Sequence, residues 1–208
     1  MVIFLCGFLI RWGDNLKYRI YNDIQCGSSI ELMGNKKFLD LVLEDELIEN
    51  GIPIYLGDNL DLAGCSKDMV EELVQDYLYH QRLFANRFID GNHERMTIVP
   101  SYYIDEGVIF SHGDFEKWGD KKAIKYRSKS HGASKFKQKF IIPTIEWAEQ
   151  FGVNRATKKF KKAAAQLAKE NSCHTYVCGH IHPKEKLDFI FDDIRIIVLP
   201  RGVNFLKI

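Results

Sequence analysis

The stretch Ile52-Pro53-Ile54-Tyr55-Leu56-Gly57-Asp58-Asn59-Leu60-Asp61 runs from an apolar segment straight into a glycine and a cluster of acids and an amide. A short apolar run closed by a turn residue reads as a buried strand. The cluster that follows then falls just past the strand's carboxyl end, where layered α/β folds gather their ligands. The same grammar recurs along the chain. Tyr18 to Tyr21 leads into Asn22-Asp23-Ile24-Gln25, Arg87 to Ile89 into Asp90-Gly91-Asn92-His93-Glu94, and Gly107 to Phe110 into Ser111-His112-Gly113-Asp114. Thr175 to Cys178 leads into Gly179-His180-Ile181-His182. Five such clusters, each after a β-prone run, predict convergence on one rim.

Between the strands lie helix-period segments. Phe38 to Glu49 carries Phe38, Leu39, Val42, Leu43 and Leu47 on one face and stops at Gly51. Met69 to Phe84 carries Val70, Leu73, Val74, Tyr77 and Leu78, and Thr157 to Glu170 carries Phe160, Ala164, Leu167 and Ala168. Ile194 to Leu199 and Val203 to Leu206 read as further strands. Val2 to Ile10 is apolar but short, with no basic segment ahead of it and no small-residue cleavage site. It reads as a buried strand or a disordered leader rather than a targeting segment. No stretch reaches the roughly 18 apolar residues that span a bilayer.

The 208 residues suit one domain with a substantial core. Five cysteines without paired spacing argue against a disulfide framework and for a reducing compartment. The net charge of +1 hides an asymmetry, since residues 115–170 hold 15 Lys+Arg and 5 Asp+Glu. A basic element therefore sits beside an acidic body. The basic stretch lacks a recognisable nucleic-acid motif, so nucleic acid is not expected as a partner.

Carboxylates, imidazoles and a carboxamide in these clusters are the donors that a pair of divalent ions would take. Read in order as D-x-[H], G-D-x-x-D, G-N-H-[D/E], H-G-x and G-H-x-H, the five blocks resemble the calcineurin-like metallophosphoesterase family, from about residue 18 to the C-terminus. The resemblance implies an α/β fold, a four-layer αββα sandwich of two mixed sheets, with one domain over 1–208 and a basic helical lid inserted at about 115–170. It implies that Asp23 and His182 bind a first metal, that Asp58 bridges, and that Asn92, His112 and His180 complete a second metal. His93 would assist the leaving group, and Asp61 and Glu94 would support the ligands by hydrogen bonding. A hydroxide bridging the ions would attack phosphorus in a phosphomonoester, phosphodiester or pyrophosphate. Manganese is the first expectation for the ions, with zinc, iron or magnesium as alternatives.

One position departs from the family. Gln25 stands where the first block should supply a second histidine. A carboxamide oxygen is a neutral, weaker ligand for a transition metal, so the first metal site is expected to be weak or altered. Divergence with retained activity, a mutation made to trap an inactive state, and a non-catalytic binding or scaffold relative all fit this substitution. The H-G-D at His112 to Asp114 and the basic insertion resemble the UDP-2,3-diacylglucosamine hydrolase branch. In that reading Asp114, Lys121, Lys125 and Arg127 contact substrate, Phe136, Phe140, Ile141, Ile142 and Trp147 form an apolar wall, and the chain is cytoplasmic or peripheral at the inner membrane surface. His93, where that branch often has arginine, counts against exact equivalence. The plainer reading of the basic lid is a solvated helical face. Asp114 reads equally as a structural carboxylate, and His80, His131 and His174 read as surface or structural residues.

Overall fold

The computed structural model describes residues 2–5, 8–11, 18–27, 34, 36–38, 40–41, 51–134, 137–141, 144 and 156–208. Ten strands lie in these residues. β1 (Val2–Leu5) and β2 (Phe8–Arg11) form an antiparallel hairpin. β3 (Tyr18–Asn22) lies between β10 (Gly202–Leu206), antiparallel to it, and β4 (Ile52–Tyr55), parallel to it. The third sheet has the order β5 (Tyr102–Asp105), β6 (Val108–Ser111), β7 (Thr175–Cys178), β9 (Ile194–Val198), β8 (Leu187–Phe191). Its three central strands are parallel and its two edges antiparallel.

Residue alternation along these strands sorts the core into three layers of contact. Tyr18 and Ile20 of β3, Ile54 of β4 and Leu206 of β10 pack against Val108 and Phe110 of β6, Val177 of β7 and Ile197 of β9. This is the seam between the two larger sheets. Side chains on a strand alternate faces, so Tyr21 and Tyr55 point the other way. They meet Leu73, Tyr77 and Phe84 of helix α1 (Val70–Phe84). On the far side, Ile109, Tyr176, Cys178, Ile196 and Val198 meet Phe160, Ala164, Ala165 and Ala168 of a second long helix, Lys158–Glu170. Helix, sheet, sheet, helix is the expected four-layer order, and both inner sheets are mixed.

Two short helices, α2 (Asp114–Trp118) and α3 (Asp120–Arg127), follow β6, and Lys158–Glu170 is α4. Thr157 caps α4, its hydroxyl accepting from the Phe160 N–H at 3.2 Å. Phe160, Ala164 and Ala168 recur every four residues and so share one face. The small alanines let the helix lie close on the sheet.

Several boundaries differ from the expectation. α4 is a structural layer of the core, so the insertion cannot extend over 115–170 as a lid. The described residues 115–134 instead fold back on the Asp61–Ser66 loop, where the N–H groups of Gly132 and Ala133 donate to the carbonyls of Leu62 and Cys65. Phe140 and Ile141 are exposed, while Phe136, Ile142 and Trp147 lie outside the described residues. So does most of the expected Phe38–Glu49 helix, of which 36–38 and 40–41 are helical and Phe38 is buried. The expected strand at Arg87–Ile89 shrinks to one bridge between Tyr55 and Phe88, because residues 85–87 tighten into a 3₁₀ turn first. Val2–Ile10 is two strands rather than one. No helix among the described residues is long and apolar enough to cross a membrane.

Candidate metal centre

The loops after β3, β4, β6 and β7 meet at one end of the inter-sheet seam, joined there by the loop at 90–95. Their backbones are unusual. Asp23, Gln25, Asp58, His180 and His182 all have φ between 47° and 57°, a region that residues bearing a Cβ rarely occupy. Such conformations persist where the surroundings hold them, and they cluster at functional sites. Two glycines let these loops touch. A Cβ on Gly91 would strike the backbone and carboxylate of Asp58, and one on Gly179 would strike Asn22.

Asp58 lies at the centre. Its Oδ1 accepts from the His93 N–H at 2.6 Å and its Oδ2 is 3.1 Å from His112 Nε2. Burial would raise its pKa, but His112, His93 and His180 outweigh it and hold the carboxyl below the usual range. His112 Nδ1 is 3.0 Å from the Leu56 carbonyl, which can only accept, so Nδ1 carries the hydrogen. Nε2 therefore turns to Asn92 Oδ1 at 3.1 Å and Asp58 Oδ2. An imidazole nitrogen between two acceptors needs a proton or a cation. Without a cation, Asp58 overcomes the burial that opposes charge and lifts the His112 pKa to about 10. The backbone carbonyl behind it fixes the orientation of the ring.

His180 completes the cluster. Its ring centroid is 5.0 Å from that of His112 and 4.7 Å from the indole of Trp118. Its Nε2 is buried with no hydrogen-bond partner. A buried imidazole nitrogen without a partner is costly, and burial together with His112 and Lys117 pushes its pKa well down. It is thus a neutral donor with a free lone pair. Ligand atoms of Asp58, His112 and His180 lie within 4.8 Å of one another. The donor set of carboxylate, two imidazoles and the Asn92 oxygen fits one divalent cation.

The remaining predicted ligands form a second group. Asp23 Oδ1 is 2.8 Å from His182 Nε2, and Asp23 Oδ2 accepts from the His180 N–H at 3.1 Å. Gln25 is brought in, but its Oε1 accepts from the Arg201 guanidinium at 3.1 Å. Arg201 also donates from Nε to the Asp23 carbonyl at 3.1 Å. It lies in the loop between β9 and β10, outside every motif block.

Two further acids hydrogen-bond within the site loops. Asp61 Oδ1 sits 2.7 Å from His93 Nδ1, and with Asp58 it raises the His93 pKa well above the ordinary value despite the burial that lowers it. Glu94 accepts from the N–H groups of Asp58, Asn59, Leu60 and Gly91 and from the Tyr55 hydroxyl. One carboxylate thus ties two site loops together.

The substrate roles of Asp114 and Arg127 are corrected. Arg127 is buried, with Nε and NH2 on the two Asp114 oxygens at 2.9 and 2.8 Å and NH1 on Asp90 Oδ2 at 3.0 Å. Its NH2 also donates to the Asp90 carbonyl. A guanidinium engaged on both edges inside the protein cannot reach a substrate phosphate. The pair instead clamps α3 to the loops that carry Asn92 and His112. Lys121 and Lys125 are exposed on α3, as a solvated face would be. Trp118, which no motif marked, packs its indole against His180.

No family profile and no curated protein matches the chain. Among solved structures, a dimetal phosphatase from Danio rerio aligns over 88% of this chain and 87% of its own, with 10% sequence identity and a TM-score of 0.43. A likeness of that size assigns no residue role.

Proposed function

We propose that this chain is a metal-dependent hydrolase of phosphate esters or pyrophosphates, of the calcineurin-like kind. The reading rests on the buried cluster of Asp58, Asn92, His112 and His180, in which one imidazole nitrogen has no partner. A divalent cation held there would polarise a phosphoryl oxygen and lower the pKa of a bound water. The chain's own contribution is positional. Asp58 and Asn92 orient His112, the Leu56 carbonyl fixes its tautomer, and Trp118 packs the His180 ring. His93, backed by Asp61 and only partly exposed, keeps a proton on its ring for the departing oxygen. A positioned imidazolium is suited to that task.

Manganese is the first candidate ion, with zinc, iron and magnesium as alternatives, because mixed carboxylate and imidazole donors take all four. The substrate class is a phosphomonoester, phosphodiester or pyrophosphate. The UDP-2,3-diacylglucosamine-like reading keeps only the exposed Lys121 and Lys125 as candidate phosphate contacts, since Arg127 is committed to Asp114 and Asp90. The test uses chelator-stripped chain, reloaded with each ion and assayed on a chromogenic phosphomonoester, a phosphodiester and a nucleotide-linked lipid pyrophosphate. Activity that returns with metal and disappears in Asp58→Asn is the expected result. A folded, metal-loaded protein inert on all three would sink the proposal.

The contact between Gln25 and Arg201 favours a second reading, a binding protein that keeps the fold without turnover. A large gain of activity in Gln25→His would mark a weakened enzyme, whereas inactivity of both forms would favour the binding protein.

A further inference from the structure

The two halves of the site are not alike. In the half built from Asp58, Asn92, His112 and His180, the facing atoms are acceptors or imidazole nitrogens, and one of them has no partner. In the half built from Asp23, Gln25 and His182, a guanidinium is already present. Arg201 holds the Gln25 oxygen from one nitrogen and the Asp23 carbonyl from another, both at 3.1 Å. A carboxamide oxygen has a second lone pair, but a divalent ion taking it would sit close to a full positive charge. Like charges a few ångströms apart in a partly buried site repel.

Arg201 is not placed by chance. The carbonyl of the preceding Pro200 accepts from Asn22 Nδ2 at 3.1 Å and from Asn204 Nδ2 at 3.0 Å. Asn22 ends β3 and Asn204 lies in β10, so the loop is pinned by two neighbouring strands. The guanidinium therefore stands at a fixed point beside Asp23.

We propose that this chain holds a single cation, on the side of Asp58, Asn92, His112 and His180, and that Arg201 supplies the positive charge of the missing first ion. Gln25 and Arg201 then work as a pair. The neutral side chain at position 25 leaves a lone pair for the guanidinium, and the guanidinium places a positive charge beside the Asp23–His182 pair. A phosphate bound across the site would meet one metal ion and one arginine. The proposal rests on the metal-site reading above, and its test separates the two.

The experiment counts Mn2+ by mass spectrometry on the gel-filtered, loaded chain and records its electron paramagnetic resonance spectrum. About one ion per chain with an uncoupled spectrum is expected, since two ions at a shared carboxylate lie about 3.5–4 Å apart and couple. His180→Ala should weaken Mn2+ binding by about 100-fold or more, whereas His182→Ala should change it by less than about threefold. Gln25→His combined with Arg201→Gln should raise the count toward about two ions and bring in the coupled signal. About two coupled ions in the unaltered chain would overturn this inference and leave the metal site standing. No bound ion in a folded chain would overturn both. If the double variant fails to fold, the count on the unaltered chain and the contrast between His180→Ala and His182→Ala decide the matter alone.

Discussion

The two walls of the site differ in chemistry. The three-stranded sheet, through the loops after β3 and β4, contributes the oxygen donors Asp23, Gln25 and Asp58. The five-stranded sheet, through the loops after β6 and β7, contributes the imidazoles of His112, His180 and His182. The cluster of Asp58, His112 and His180 draws one group from the first wall and two from the second. The site is therefore a product of the sheet–sheet seam. Removing the oxygen wall's central charge should have the largest effect. Asp58→Asn keeps shape and loses charge, and phosphoesterase activity should fall about 10⁴-fold, about 5 kcal/mol of transition-state stabilisation, with the fold retained by circular dichroism. His180→Ala should match it from the other wall. If only the histidine variant loses activity, the two walls do not act as one centre.

The walls are also held together by a part of the molecule that does no chemistry. Arg127 links Asp114, two residues past His112, to Asp90, two residues before Asn92. Arg127→Met would leave two buried carboxylates without their cation, so unfolding free energy should drop by about 3–5 kcal/mol in a denaturant titration. A drop below about 1 kcal/mol together with weakened substrate binding would reverse the assignment and make Arg127 a substrate contact.

This asymmetry between chemistry and support also explains what was legible in the sequence. The strand-then-cluster blocks were readable because ligands at strand ends interrupt apolar runs in a way that local reading detects. α1 and α4 were readable from helical spacing. β5 and β8 were missed because edge strands such as Leu187–Phe191 expose alternate residues and carry Asp188, so they resemble loops. The Arg127 clamp and the contact between Gln25 and Arg201 were missed because each joins separate elements, the first reaching Asp90 37 positions away. The second spans 176 positions. The expected lid runs too long because charge composition does not distinguish a solvated insertion from the outer face of a core helix. In α4 the lysines face solvent and the alanines do the packing.

The helix behind the oxygen wall carries its own pH response. His80 of α1 is fully buried, its ring 5.2 Å from that of Phe38 and 5.8 Å from that of Tyr55, and both ring nitrogens lack partners. Burial lowers its pKa from 6.5 to about 4. Below pH 6.5 the unfolded chain takes up a proton that the folded chain refuses until about pH 4, so stability falls as pH falls through that window. The loss should reach about 3 kcal/mol at its lower end. Urea titrations at a series of pH values should show this slope in the unaltered chain and a flatter one in His80→Leu. Equal slopes would mean that His80 protonates in place and the core opens around it.

Behind the imidazole wall the corresponding helix, α4, is anchored differently, by its cap and its small residues. Thr157→Ala removes the acceptor for the Phe160 N–H, and Phe160 is the first buried residue of that helix. The expected cost is about 1 kcal/mol of unfolding free energy, with a smaller change in metal binding, because α4 packs on α2 and beside Ile181 but supplies no ligand itself. Thermal melts with and without Mn2+ would check both halves of this statement. A shift in metal affinity as large as the shift in stability would mean that α4 positions His180 through β7, and the imidazole wall would then be the softer of the two. An effect confined to stability leaves the seam, rather than the helices outside it, as the element that sets the site's geometry.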